Sequence, residues 1–147
     1  MPCSGAYATA EQYAMLFCLD LPLTGDQETV INNLLELSAG MLHAARMATG
    51  GCDCTLSSGA DSYLAYLNSM LAATYYNCPC GRTNLTEDDR NRLAFVIQEQ
   101  LNLIRTGVVE LCEGETGTTF PVIDWAEQTL TEWNVDRIIF SYMLRTS

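Results

Sequence analysis

Hydrophobic positions recur at helical spacing along most of the chain, and short polar or glycine-bearing joins separate the runs. Thr9-Ala10-Glu11-Gln12 has the spacing of a capping box and predicts a short helix through Phe17, closing before Leu19-Asp20-Leu21-Pro22-Leu23. Thr24-Gly25-Asp26-Gln27 repeats the spacing ahead of a longer run. There Val30, Leu34, Leu37, Met41 and Ala44/Ala45 form one apolar stripe, widened by Ile31, Leu35 and Leu42. Gly50-Gly51 stops that helix. A third is predicted from Ser57 or Ser58 to Tyr76, with Ala60, Tyr63/Leu64, Leu67 and Met70/Leu71 on its main stripe.

The fourth run is the most regular. Thr86 is its expected cap, and Glu87, Asp88 and Asp89 place negative charge at the positive end of the helix dipole. Leu93, Val96/Ile97, Leu101 and Ile104 make the buried face, Arg105 sits in the last turn, and Gly107 ends it. Val108 to Val122 reads as an irregular or partly extended join. Asp124-Trp125-Ala126-Glu127 then opens a helical tail, Trp125 to Leu144, with a break near Asn134. No hairpin signature, tandem repeat or low-complexity segment occurs. The expected fold class is all-α: a compact antiparallel helix bundle of four to five helices with an extended C-terminal segment. It forms a single domain over 1–147, with a helical core over about 8–108 and a C-terminal segment over about 109–147.

Charge narrows the function classes. Eighteen acidic residues face seven basic ones, all arginine, for a net charge of −11. Such a balance opposes attraction to nucleic acid or an anionic membrane. The uncharged run Ser62 to Gly81 is about membrane-spanning in length. Asn68, Ser69, Thr74 and Asn77 interrupt it, so the expected reading is a central helix buried by neighbouring helices or subunits. No basic region followed by an apolar run opens the chain, and Met1 to Gln12 is not expected to be a secretory signal.

The seven cysteines include two Cys-x-Cys pairs, Cys52/Cys54 and Cys78/Cys80. Four thiolates of this kind invite a zinc site. A continuous helix over Ser58–Tyr76, roughly 28 Å long at 1.5 Å per residue, separates the pairs too widely for one coordination sphere. Antiparallel packing instead groups Cys112 with Cys52 and Cys54 at one pole, and Cys18 with Cys78 and Cys80 at the other. Three readings of these groupings stay open. They are reduced cysteines packing in loops, a metal completed by a ligand such as Asp53, and a disulfide from Cys112 to Cys52 or Cys54. The odd count opposes a complete intrachain set, and synthesis in a reducing compartment is expected.

Catalytic signatures are missing from the sequence. The one histidine, His43, has no partner of its kind, and no nucleophile elbow, P-loop, zincin or dinucleotide fingerprint occurs. An enzyme is not expected, and no cofactor is.

The order of elements, with Ala8-Thr9-Ala10-Glu11-Gln12 opening a capped helix and Leu34-Leu35-Glu36-Leu37-Ser38 on the long helix, resembles the head–tail connector (adaptor) proteins of tailed bacteriophages. The resemblance covers roughly Ala8 to Gly107. It lies in spacing and order, and leaves out the cysteine pairs and everything from Val108 onward. It implies a structural virion protein at the head–tail interface, assembled in the host cytoplasm. Such adaptors form a homo-oligomeric ring, usually a dodecamer, beneath the portal protein. They extend the channel through which DNA passes and meet head-completion (stopper) or tail proteins below. An acidic chain without lysine suits DNA that slides past unbound. In that family the C-terminal segment commonly docks on the portal. Here Trp133, Ile138, Ile139, Phe140, Tyr142, Met143 and Leu144 make the tail apolar enough for burial against portal or neighbouring subunit, or within its own bundle. Two other classes compete. One is a small acidic cysteine-rich metal-binding regulatory or interaction module; the weaker is a DNA mimic, whose carboxylates would need to cluster where these scatter.

Overall fold

Local capping chemistry sets the first two helices. In the computed structural model, which describes residues 4–16, 21–49, 54–75, 87–113, 118–119 and 145–146, both predicted capping boxes are formed. Thr9 Oγ1 accepts from Gln12 N at 3.1 Å while Gln12 Oε1 accepts from Thr9 N at 2.9 Å, opening α1 (Ala10–Leu16). Thr24 and Gln27 do the same at 3.2 and 3.0 Å ahead of α2 (Gly25–Met47). Each box satisfies two backbone donors that a helix start otherwise leaves unpaired.

α3 spans Ala60–Tyr75 and α4 spans Glu87–Arg105. α3 starts later than the expected Ser57 or Ser58, because Gly59 holds φ +84°, outside the helical region. Gly107, at φ +80°, ends α4 as expected; its N–H donates to Ile104 O at 3.1 Å. The described part of the chain is mostly helical and compact. Among its residues no helix is long and apolar enough to cross a membrane.

α3 is the centre. Every residue from Tyr63 to Ala73 is buried, and α1, α2 and α4 all contact it. α4 contributes Leu93, Ile97, Leu101 and Ile104, the face read from its periodicity, with Val96 half-buried beside it. α2 differs from expectation. Its buried face is Ile31, Leu35, Ser38, Ala39, Leu42 and Ala45, whereas Leu37 is 60% exposed and Val30, Leu34 and Met41 are only half-buried. The stripe is rotated by one residue, about 100° around the helix. The small side chains of Ser38 and Ala39 explain the rotation, since they bring α3 close enough for direct hydrogen bonds.

Those bonds form a closed network around Asn68. Its Nδ2 donates to Leu35 O at 2.9 Å and to Ser38 Oγ at 2.7 Å. Its Oδ1 accepts from Tyr7 N at 3.0 Å and Ala8 N at 3.1 Å. One buried amide thus joins α2, α3 and the segment that leads into α1, with its polar atoms satisfied. Tyr63 Oη donates to Gln100 Oε1 at 2.6 Å and so pairs the start of α3 with the late part of α4. Burial pushes the Tyr13 hydroxyl up to about 12 and raises the Tyr63 hydroxyl further still.

Two short strands lie beyond α4. β1 (Thr118–Thr119) pairs antiparallel with β2 (Arg145–Thr146), Thr118 opposite Thr146 and Thr119 opposite Arg145. This pair is the one regular β element among the described residues, and the hydrophobic pattern did not announce it.

Candidate functional site

Four places on the molecule have the makings of a site. The first is the pole where α2 and α4 end and α3 begins. A Cβ placed on Gly107 would lie 3.9 Å from Thr49 Cγ2, so the ends of α4 and α2 are neighbours there. Leu56 and Cys112 form an antiparallel bridge, with Ser57 N–H donating to Leu111 O at 2.8 Å and Glu113 N–H to Thr55 O at 2.6 Å. Within that bridge Cys54 and Cys112 are joined by a disulfide, Cα to Cα 5.6 Å. The antiparallel pole grouping predicted this neighbourhood. The reading of Cys54 and Cys112 as reduced loop cysteines is corrected: with Cys112 held across from Leu56, Cys54 two residues away is near enough to bond to it. A thiolate site at this pole loses both sulfurs as donors when the bond is closed. Cys18, Cys52, Asp53, Cys78 and Cys80 lie outside the described residues. Among the described residues no group of three or more His, Cys, Asp and Glu side chains is placed to hold a metal ion.

The second place is His43, half-buried on α2. Nε2 lies 2.8 Å from Gly5 O; a carbonyl only accepts, so Nε2 carries the proton. In the neutral ring Nδ1 then accepts from the Tyr7 hydroxyl at 2.8 Å, and that oxygen accepts from Arg46 Nη1 at 3.1 Å. The Arg46 guanidinium also sits over the Tyr7 ring, 5.8 Å from its centroid. Both imidazole nitrogens are therefore engaged, as a packed histidine requires, and the cluster fastens residues 5–7 onto α2.

Third is a cleft of about 840 Å³ between the start of α1, the Leu21–Leu23 segment and the first turns of α2. Ala8, Ala10, Leu21, Pro22 and Leu23 supply apolar wall; Glu11, Glu28, Thr9 and Asn32 supply polar wall. Its carboxylates and amide recognise donors. The threonine hydroxyl of Thr9 and the amide of Asn32 both donate and accept hydrogen bonds there.

The fourth is the outer side of α2. Leu37 and Met47 are 60% and 59% exposed, Ala44 is exposed between them, and a Cβ on Gly40 would meet nothing within 4 Å. Val30, Leu34 and Met41 border this strip, half-buried, and none of these residues carries charge. Sequence reasoning placed the stripe in the core together with Ile31, Leu35, Leu42 and Ala45; those four are buried, Leu34 and Met41 pack half-buried against the core, and Leu37 and Ala44 face outward. The predicted docking residues Trp133, Ile138, Ile139, Phe140, Tyr142, Met143 and Leu144 lie outside the described residues, though the β1–β2 pair ties together positions on either side of them.

Compared with known proteins, the chain matches no family model, no curated protein and no solved structure.

Proposed function

We propose that the chain is a structural adaptor of a tailed-phage particle: a non-catalytic subunit that forms a ring, dodecameric in this reading, beneath the portal protein. The ring extends the DNA channel and links head to tail. The finer architecture of this reading is an antiparallel bundle whose extended C-terminal segment meets the portal or the adjacent subunit.

One observation carries it. α2 carries a second apolar strip that is only partly covered among the described residues: Leu34 and Met41 pack half-buried at the edge of the core, while Leu37, Ala44 and Met47 are exposed. An uncharged strip from Val30 to Met47, about 26 Å long at helical rise, is what side-by-side packing of copies needs. The acidic balance adds to this, because a channel wall of net charge −11 per subunit repels the DNA it surrounds. The resemblance of Ala8 to Gly107 to phage adaptors supplies the particular assembly.

The metal-binding regulator is the poorer reading. It relies on thiolates at the Cys54 pole, and the Cys54–Cys112 disulfide competes with a metal for two of them. Electron microscopy of the purified chain, alone and with purified portal complexes, tests the choice. Rings in either preparation fit the adaptor. A chain that stays monomeric in both, and folds only with added zinc, is the regulator.

A further inference from the structure

We propose that Cys54 and Cys112 form a redox-operated clamp on the base of the C-terminal segment, open as two thiols during assembly and closed as a disulfide in the finished particle. The timing rests on the adaptor reading, which places synthesis in a reducing cytoplasm and later exposure outside it. The clamp itself rests on geometry.

The backbone brings the two cysteines to diagonal positions across a bridge, Cys112 facing Leu56 and Cys54 lying two residues before Leu56. Hydrogen bonds on both sides of the pair, Ser57 N–H to Leu111 O and Glu113 N–H to Thr55 O, set the Leu56–Cys112 register. Buried Val109 and Leu111 anchor the same segment in the core. With the bond closed their Cα atoms are 5.6 Å apart, within the usual range for a disulfide, and the bridge beside it does not depend on the sulfurs. Both residues are half-buried, so a small disulfide can reach them. The bond closes a loop across 58 residues that contains all of α3 and α4, and it does so where the chain leaves α4 for its last third.

Closure by a low-molecular-weight disulfide such as oxidised glutathione is balanced. One cysteine thiolate attacks the small disulfide and releases one small thiol. The second cysteine thiolate then attacks the mixed disulfide and displaces the other. Two protein thiols become one S–S bond, and one small disulfide becomes two thiols. Open, the segment is held by the backbone bonds of Ser57, Val109 and Glu113, the Ser57 hydroxyl and two buried apolar side chains; closed, a covalent bond is added to these.

The test uses the full wild-type chain in two states, treated with dithiothreitol or with oxidised glutathione, with Cys54→Ser as control. Peptide mapping of the oxidised chain is expected to find Cys54 linked to Cys112. Hydrogen exchange at Leu111 to Glu113 is expected to slow roughly ten-fold or more on oxidation, and not at all in Cys54→Ser. A Cys52–Cys112 link, a link between chains, or equal protection in both states overturns the clamp. Co-sedimentation with portal-bearing heads separates the two proposals. A chain that closes its clamp but joins no heads in either state sinks the adaptor reading and leaves the clamp. One that joins heads in both states without any change in protection sinks the clamp alone.

Discussion

α2 and α3 are built from similar material and meet opposite fates. α3 is covered on every side between Tyr63 and Ala73, by α1, α2 and α4. α2 has as continuous an apolar pattern, yet buries Ile31, Leu35, Ala39 and Leu42 and leaves Leu37, Ala44 and Met47 in solvent. The contrast teaches that an apolar stripe is a demand for cover, and that a chain need not meet the demand alone. In the proposed assembly, the stripe left uncovered is the place for another chain.

The largest expected effect lies on the fully covered helix. Leu67→Ala should destabilise the fold by about 2–5 kcal/mol, as truncation of a tightly packed leucine does. Chemical denaturation checks this; a loss under about half a kcal/mol would remove α3 from the centre and erase the contrast. Next comes the joint between the two helices. Asn68→Ala takes the acceptor from the N–H groups of Tyr7 and Ala8 and one donor each from Leu35 O and Ser38 Oγ, and should cost about 2–3 kcal/mol. Faster hydrogen exchange at Tyr7 and Ala8 should accompany it, and unchanged exchange there would mean that Asn68 does not hold α1 to the bundle.

A smaller effect follows from the buried tyrosines. Folding raises the Tyr13 hydroxyl from 10.0 to about 12, and Tyr63 in the same direction. The folded state therefore keeps protons that the unfolded state gives up. Stability is full below pH about 10 and falls as pH climbs through about 12. Tyrosinate absorbance should appear together with loss of helicity in an alkaline titration. Ionisation near 10 with helicity intact would show these rings to be solvent-accessible. Smallest of all, Leu37→Ala on the open face should change the isolated chain's stability by under about 0.5 kcal/mol.

Much of this arrangement is legible in the sequence, and the illegible parts have physical reasons. Thr9/Gln12 and Thr24/Gln27 announce their helix starts because capping is local chemistry. Leu93, Ile97, Leu101 and Ile104 announce the buried face of α4 because polar residues, Arg92, Gln98, Asn102 and Arg105, stand beside them. α2 carries two apolar arcs of equal spacing one residue apart, so periodicity cannot choose between them. The choice falls to Ser38 and Ala39, whose small size matters only once α3 is known to approach. Asn68 reads from the sequence as an interruption unsuited to lipid; its role as the bonding hub depends on Ser38, 30 residues away. Among the candidate sites, the pole of Cys52, Cys54 and Cys112 was legible from helix order. The pairing was not, since register across the Leu56–Cys112 bridge decides it. The outward face of α2, on which the assembly reading turns, was visible as a stripe and assigned to the wrong side.

Comparison of wild type with Leu37→Asp, by electron microscopy with and without purified portal complexes, tests the claim that copies of this chain cover that face. A carboxylate there leaves the monomer's core untouched but puts a charge into any apolar contact made by the strip. The account predicts rings for wild type and dispersed, equally helical monomers for the variant. Wild type that never forms rings, or Leu37→Asp rings indistinguishable from those of wild type, would contradict it.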